Sequence, residues 1–225
     1  MENKGPTEIQ LKAAVLNRLV ALGVVDPTSV VVNELPLGQT SVRADLVMLS
    51  EDNRLCGIEI KSDRDSLTRL NRQVNVYQEY FDDVIVVLAE RHLKRFAKAD
   101  HRKSEIWVAR QDGQIELFRA ARSVKCPTRT GWDLLTQKQA KRALYETDER
   151  GAFCNALRNR FSETSTTFWN ATQDRQIEVS DLRLLSRFET LRVRASEVQA
   201  HRESMWDQWA SFFATQNSVH SSSVS

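Results

Sequence analysis

The chain has 225 residues, and its 32 Lys+Arg against 30 Asp+Glu leave a formal charge of +2. That near-balance argues against a uniformly cationic nucleic-acid binder, an acidic tail or a basic membrane-surface protein, while an apolar content of 41% supports a core and excludes wholesale disorder. With only 7 Gly and 4 Pro, neither a glycine-rich phosphate-binding enzyme nor a turn-dense β-sandwich is favoured. Cys56, Cys126 and Cys154 are widely spaced and read as small buried hydrophobes in a reducing compartment. No apolar run approaches the ~18 residues of a membrane span, and Met1–Pro6 carries no hydrophobic signal core. A soluble cytoplasmic protein without membrane partners is expected.

Thr7 to Leu22 has helical spacing, with Pro6 near its start, Ile9, Ala13, Leu16 and Val20 recurring, and Gly23 as a stop. Three segments of strand composition follow, Val30–Leu35, Val42–Leu49 and Leu55–Lys61, separated by short turn sequences that predict a meander. From Asp65 to Tyr80 the period is helical again, with Leu67, Leu70, Val74, Tyr77 and Phe81 in one stripe. Val84–Leu88 is a continuous apolar run, the mark of a strand buried on both faces. A basic helix over Arg91–Lys98 leads to Ile106–Val108 and Ile115–Phe118, which Asp112-Gly113 joins as a hairpin. The order predicts an α/β fold, a mixed sheet with helices packed on it.

Beyond about Ala120 the pattern turns helical. Thr136-x-x-Gln139 resembles a capping box before a helix toward Glu149, Gly151 is a candidate stop, and a second helix covers Ala152–Phe161. Ser162–Thr167 reads as a polar linker. From Ser180 a stripe through Leu182, Leu185, Phe188, Leu191, Ala195, Val198, Met205, Trp209 and Phe212 predicts one long amphipathic helix or two in series. That stripe, with Trp206 nearby, suits either packing onto the core or a homodimer seam or protein partner. The expected organisation is a core over 1–120, a helical region over 121–217 and a disordered Ser-rich tail over 218–225.

The chemistry concentrates in Arg43-Ala44-Asp45-Leu46-Val47 and Gly57-Ile58-Glu59-Ile60-Lys61-Ser62. Strand alternation puts Glu59 and Lys61 on one face, and a short turn pairs their strand with that of Asp45. Two carboxylates, helped by the Ile60 carbonyl, can hold Mg²⁺ or Mn²⁺. Lys61 can then orient or deprotonate an attacking water and offset growing negative charge. A Glu-x-Lys on a strand is also the ordinary pattern of a solvated sheet face. Asp45 is less easily ordinary, because Asp is poor in strands and this one stands among apolar neighbours.

The order helix, three strands, helix, strand, with Asp45 on the second strand and Glu59-Ile60-Lys61 on the third, resembles the PD-(D/E)XK nuclease superfamily over roughly Thr7–Phe118. Ala44 stands where the name-giving proline would be. Gln73-Val74-Asn75-Val76-Tyr77 matches the Q-x-x-x-Y pattern of its RecB-like branch. The run Glu59-Ile60-Lys61-Ser62-Asp63-Arg64-Asp65-Ser66-Leu67-x-Arg69-Leu70 resembles a bacterial and phage-associated group within it. The resemblance implies a restriction-endonuclease-like mixed β-sheet flanked by helices, with an α-helical C-terminal region outside it. It also implies Asp45 and Glu59 as metal ligands, Lys61 as the catalytic lysine, Glu8 as an added carboxylate from the first helix, and DNA rather than RNA as substrate.

Supporting residues have everyday roles too. Glu8 is equally an acidic first-turn residue favoured by the helix dipole, and Glu34 is a rival fourth carboxylate or a plain surface group. Gln73 and Tyr77 share a helix face. Tyr77 fits the core, while Gln73 beside that stripe fits a task such as ordering Lys61 or touching a phosphate. Arg64 and Arg69 are candidates for DNA backbone contact, or surface charge near a helix start. His92 and His101 lack metal-ligand spacing and read as surface residues. Between Arg91 and Arg142 there are 14 basic and 5 acidic residues, a local +9, against −7 for the remainder. Lys94, Arg95, Lys98, Arg102 and Lys103 form one cluster there, and Arg119, Arg122, Lys125 and Arg129 another, as a polyanion ligand requires. A metal-dependent nuclease is therefore expected. The rival is a non-catalytic nucleic-acid-binding or protein-interaction module on the same fold.

Overall fold

The computed structural model describes residues 5–96, 103–122, 149–186, 198, 199, 201, 202 and 204–206. Helix α1 spans Glu8–Ala21, and Thr7 caps it through a reciprocal box with Gln10. Strands β1 (Val30–Pro36), β2 (Arg43–Leu49) and β3 (Leu55–Lys61) form the antiparallel meander that the turn spacing predicts. Helix α2 (Leu70–Tyr80) crosses to β4 (Asp83–Ala89), which runs parallel to β3. A 3-10 turn over Glu90–His92 and the short helix α3 (Leu93–Phe96) precede β5 (Glu105–Ala109), parallel to β4. β6 (Ile115–Arg119) returns antiparallel through a turn in which Gly113 takes φ +87°. The result is a mixed six-stranded sheet in sequential order, flanked by helices, with helix α4 (Glu149–Thr172) following.

Two apolar cores sandwich the sheet. Leu70, Val74, Tyr77, Tyr80 and Phe81 fill one side, joined by Phe153, Leu157 and Phe161 of α4. On the other, Leu11, Val15, Leu16 and Leu19 of α1 meet Ile58, Ile60, Phe168 and Trp169. The buried face of α1 is rotated from the expected one: Ala13 and Leu16 are buried, but Ile9 and Val20 remain 47% and 43% exposed while Leu11, Lys12, Val15 and Leu19 turn inward. At Gly57 a Cβ would lie 2.2 Å from the Phe81 ring, so only glycine lets that ring pack so closely against β3.

Five other expectations are corrected. The second helix starts at Leu70, not Asp65, because the Asp65 carboxylate accepts from the Ser62 N–H and hydroxyl at 2.8 and 2.5 Å and holds a turn there. Gly151 and Ser162–Thr167 lie inside α4, neither a stop nor a linker. The hydroxyls of Thr164, Thr167 and Thr172 donate back to carbonyls three or four residues earlier, at 2.8–3.0 Å, and so remove the polar cost of that stretch. The stripe expected from Ser180 begins as a 3-10 segment, Val179–Leu185, with Leu182 and Leu185 in the core. His92 is buried, its Nε2 3.0 Å from the Ser62 carbonyl oxygen.

One compact unit runs from Met1 to Ser186, and α4 packs into the same two cores as the sheet. In the second unit, from Arg187, the described residues are helical, and Val198, Met205 and Trp206 are exposed. The expected helix from Thr136, His101, Trp209 and the Ser-rich tail lie outside the described residues. No helix among the described residues is long and apolar enough to cross a membrane.

α4 also covers an open edge of the sheet. The Ser165 hydroxyl accepts from the Val31 N–H and donates to its carbonyl, both at 3.0 Å, and Trp169 Nε1 donates to the Ser29 carbonyl at 2.8 Å. Arg158 reaches the β2–β3 turn, donating to Asn53 Oδ1 at 2.6 Å and to the Ser50 carbonyl at 2.5 Å. Replacing Ser165 with Ala would leave both buried Val31 groups unpaired. The expected loss is about 1–3 kcal/mol of unfolding free energy, read as a lower urea midpoint at unchanged slope; an unshifted midpoint would show that this pairing carries no weight.

Candidate active site

The site is built where the regular pairing of three strands is interrupted. Asn33↔Leu46 and Leu35↔Ala44 bracket Glu34 and Asp45, and the β2–β3 ladder ends at Leu46↔Ile58, one step before Asp45 and Glu59 would face each other. Glu34, Asp45 and Glu59 thus form one row across β1, β2 and β3. Face alternation breaks in the same row: Val32 and Leu35 pack on the α2 side together, as do Ala44 and Val47. Glu34 accommodates the break with φ +60°, a left-handed conformation that costs a non-glycine residue about 1–2 kcal/mol.

Asp45 takes over the lost ladder position with its side chain, Oδ2 accepting from the Ile60 N–H at 2.7 Å. Because the N–H and C=O of one strand residue point to the same side, the Ile60 carbonyl also faces the Asp45 edge. Glu59 is 0% exposed. Its Oε2 accepts from the Tyr77 hydroxyl at 2.5 Å, and Oε1 lies 2.6 Å from Lys61 Nζ. Tyr77 in turn accepts from the Asp45 N–H at 3.2 Å and is steadied by Phe81, ring centroids 5.3 Å apart and edge-on.

Two carboxylates withdrawn from water and facing each other resist joint ionisation. Burial first, and then the Glu59 charge, push the Asp45 carboxyl up to about 8. Burial likewise raises Glu59, with Lys61 and Tyr77 pulling the other way. Burial and the same two carboxylates hold the Tyr77 phenol well above its usual range.

A cleft of about 450 Å³ opens onto this row, lined by Glu34, Arg43, Asp45, Arg69, Arg72 and Gln73. Gln73 Oε1 is buried and without a hydrogen-bond partner. Arg72 joins α2 to the β1–β2 turn, donating to the Thr40 carbonyl and Ser41 hydroxyl at 2.9 and 3.0 Å. Of the expected residues, the structure brings together Asp45, Glu59, Ile60, Lys61, Gln73, Tyr77 and Arg69. Glu8, on α1, stands near enough for its charge to raise both Asp45 and Glu59, and its Oε1 lies 3.1 Å from Lys12 Nζ. Arg64, Lys94, Arg95 and Lys103 are exposed and do not line the cleft. Lys98 and Arg102 lie outside the described residues.

Sequence reasoning missed Lys12, Arg43 and Arg72. Lys12 shares the inward phase of Leu16 and Leu19, four and seven residues on, a lysine in a buried stripe that periodicity could have flagged. Arg43 pairs with Glu34 at 2.9 Å. Among the described residues no group of three His, Cys, Asp or Glu side chains is arranged to hold a metal ion, and no basic side chain forms an ion pair with Asp45. The chemistry of the donors nonetheless fits a divalent cation: hard oxygens of Asp45 and Glu59, with a backbone carbonyl directed to the same edge.

The model of the bacteriophage P4 protein cII family matches residues 1–146. Protein cII of Enterobacteria phage P4 is 32% identical over 91 residues, covering 40% of this chain and 33% of that protein. The chain therefore spans about a third of the length of that curated relative. Among solved structures, a protein of unknown function from Silicibacter pomeroyi is 18% identical, with a TM-score of 0.45, covering 73% of this chain and 89% of that one.

The raised Asp45 carboxyl has a consequence for stability. Its folded-state value of about 8 exceeds the ordinary 3.8, so the folded chain binds this proton more tightly than the unfolded chain does. The resulting stabilisation is complete below about pH 4 and is lost as pH rises through about 8. With EDTA present, unfolding midpoints of the wild type should fall across that window, and Asp45→Asn should flatten the fall. Parallel pH profiles for the two proteins would contradict this assignment.

Proposed function

The chain belongs to the bacteriophage P4 protein cII family, and we propose that this member is a metal-dependent nuclease of the PD-(D/E)XK type acting on DNA in the cytoplasm. The carrying observation is the Asp45–Glu59–Lys61 constellation at the strand break, with Glu59 clamped between Lys61 and Tyr77. All of it falls within the family-matched residues 1–146. Burial first, and then the Glu59 charge, disfavour an ionised Asp45, and a cation held by both carboxylates would offset that cost.

Asp45, Glu59 and the Ile60 carbonyl would hold Mg²⁺ or Mn²⁺, which when bound polarises the scissile phosphate and acidifies water. Lys61, fixed by Glu59, orients the water that attacks phosphorus and offsets charge on the phosphoryl oxygens as the P–O bond to the leaving group breaks. Tyr77 holds the Glu59 carboxylate and the Asp45 backbone in one frame. Gln73 offers its unpartnered Oε1 to a donor in the cleft, the attacking water being the nearest chemical match. Arg43, Arg69 and Arg72 at the cleft supply guanidinium donors for the phosphates on either side.

Single-stranded, duplex and branched DNA, and RNA, incubated with Mn²⁺ would test this. Cleavage of DNA is expected, lowered by about 10²-fold or more in Asp45→Asn, Glu59→Gln and Lys61→Ala and by about tenfold in Gln73→Ala. Activity surviving in the Lys61 and Glu59 variants would sink the assignment. DNA binding without cleavage by any metal-loaded form would favour the non-catalytic module instead.

A further inference from the structure

Lys12 is 3% exposed, an ammonium carried into the protein on the inward face of α1. Its Nζ has three donors to satisfy and finds three oxygens: Asn33 Oδ1 at 3.1 Å, Glu8 Oε1 at 3.1 Å and Glu34 Oε1 at 3.4 Å. The second Glu34 oxygen takes Arg43 at 2.9 Å. Every carboxylate beside Asp45 other than Glu59 is thereby tied to a side-chain cation. Glu34 is held there even though its backbone is left-handed.

Two-metal sites hold their ions about 3.5–4 Å apart, one for the attacking and one for the leaving oxygen. Here the carboxylates available for a second ion, Glu8 and Glu34, already coordinate an internal cation. Four carboxylates face three side-chain cations, Lys12, Lys61 and Arg43. A single dication at Asp45 and Glu59 more than offsets the remaining negative charge, and a second one would stand against a buried ammonium.

We propose that Lys12 occupies the place of a second metal ion, so that the site binds one divalent cation and Lys12 is the positioning residue for Glu8 and Glu34. The inference rests on the reading of Asp45 and Glu59 as cation ligands. Lys12 also sets the position of the cleft wall, because it links α1 to β1 through Asn33 and Glu34.

The test is a count of ions on the full chain. Mn²⁺ is titrated into wild type, Lys12→Arg and Lys12→Met, with free ion followed by electron paramagnetic resonance and binding by calorimetry. About one ion per chain is expected for wild type and Lys12→Arg, and about two for Lys12→Met, whose apolar stem frees Glu8 and the Oε1 of Glu34. Two ions in wild type, or one in a Lys12→Met protein with a native melting curve, overturn the inference and leave the Asp45–Glu59 reading standing. No ion in any form overturns both. Lys12→Gln serves as the second variant, with about two ions expected and one overturning the inference, and two ions in the wild type overturn it whether or not the substituted chains fold.

Discussion

The burial of Asp45 and Glu59 on neighbouring strands is the constraint around which this half of the molecule is arranged. Two carboxylates on neighbouring strands, both drawn away from water, can persist only if the surroundings supply compensating charge and hydrogen bonds. The supply comes from three elements: Lys61 and the Ile60 N–H from β3, Tyr77 from α2, and Lys12 from α1. The packing beneath follows suit. Phe81 can lie against β3 only because Gly57 has no side chain, and that ring steadies Tyr77 edge-on.

The break in strand alternation is the geometric counterpart of this electrostatic arrangement. A regular pleat sends successive side chains to opposite faces, which would separate an acidic row into core and solvent positions. Skipping one step at Glu34 and Asp45 keeps Val32 with Leu35 and Ala44 with Val47 in the same core, and frees the two carboxylates to meet at the edge. The left-handed backbone of Glu34 is the conformational cost, offset by ion pairs to Lys12 and Arg43.

Much of this was legible in the order of residues, and the limits are physical. Asp45 stood out because a carboxylate conflicts with its apolar strand, whereas Glu59-Ile60-Lys61 reads equally as the solvated face of a half-buried sheet. The strand order followed from turn spacing and from the unbroken apolar run of β4. Lys12 stayed hidden because Glu8 and Lys12, four residues apart, mimic an ordinary surface pair on a helix. Glu34 stayed ambiguous because nothing in a sequence announces φ +60° for glutamate. The polar run Ser162–Thr167 imitated a linker, although its hydroxyls bond within the helix and across to β1. Asp65 imitated a helical residue, although its carboxylate closes the turn after Lys61.

The Ser165–Val31 pairing bears on what counts as an autonomous folding unit. The family match ends at residue 146, before α4 begins at Glu149. Cutting the chain there would keep every residue of the acidic row yet uncover the outer rim of β1, a ready template for intermolecular strand addition and aggregation. Phe153, Leu157, Phe161, Phe168 and Trp169 would leave both cores with it. The segment that carries the acidic row thus has its open strand edge covered by a helix that lies outside that row.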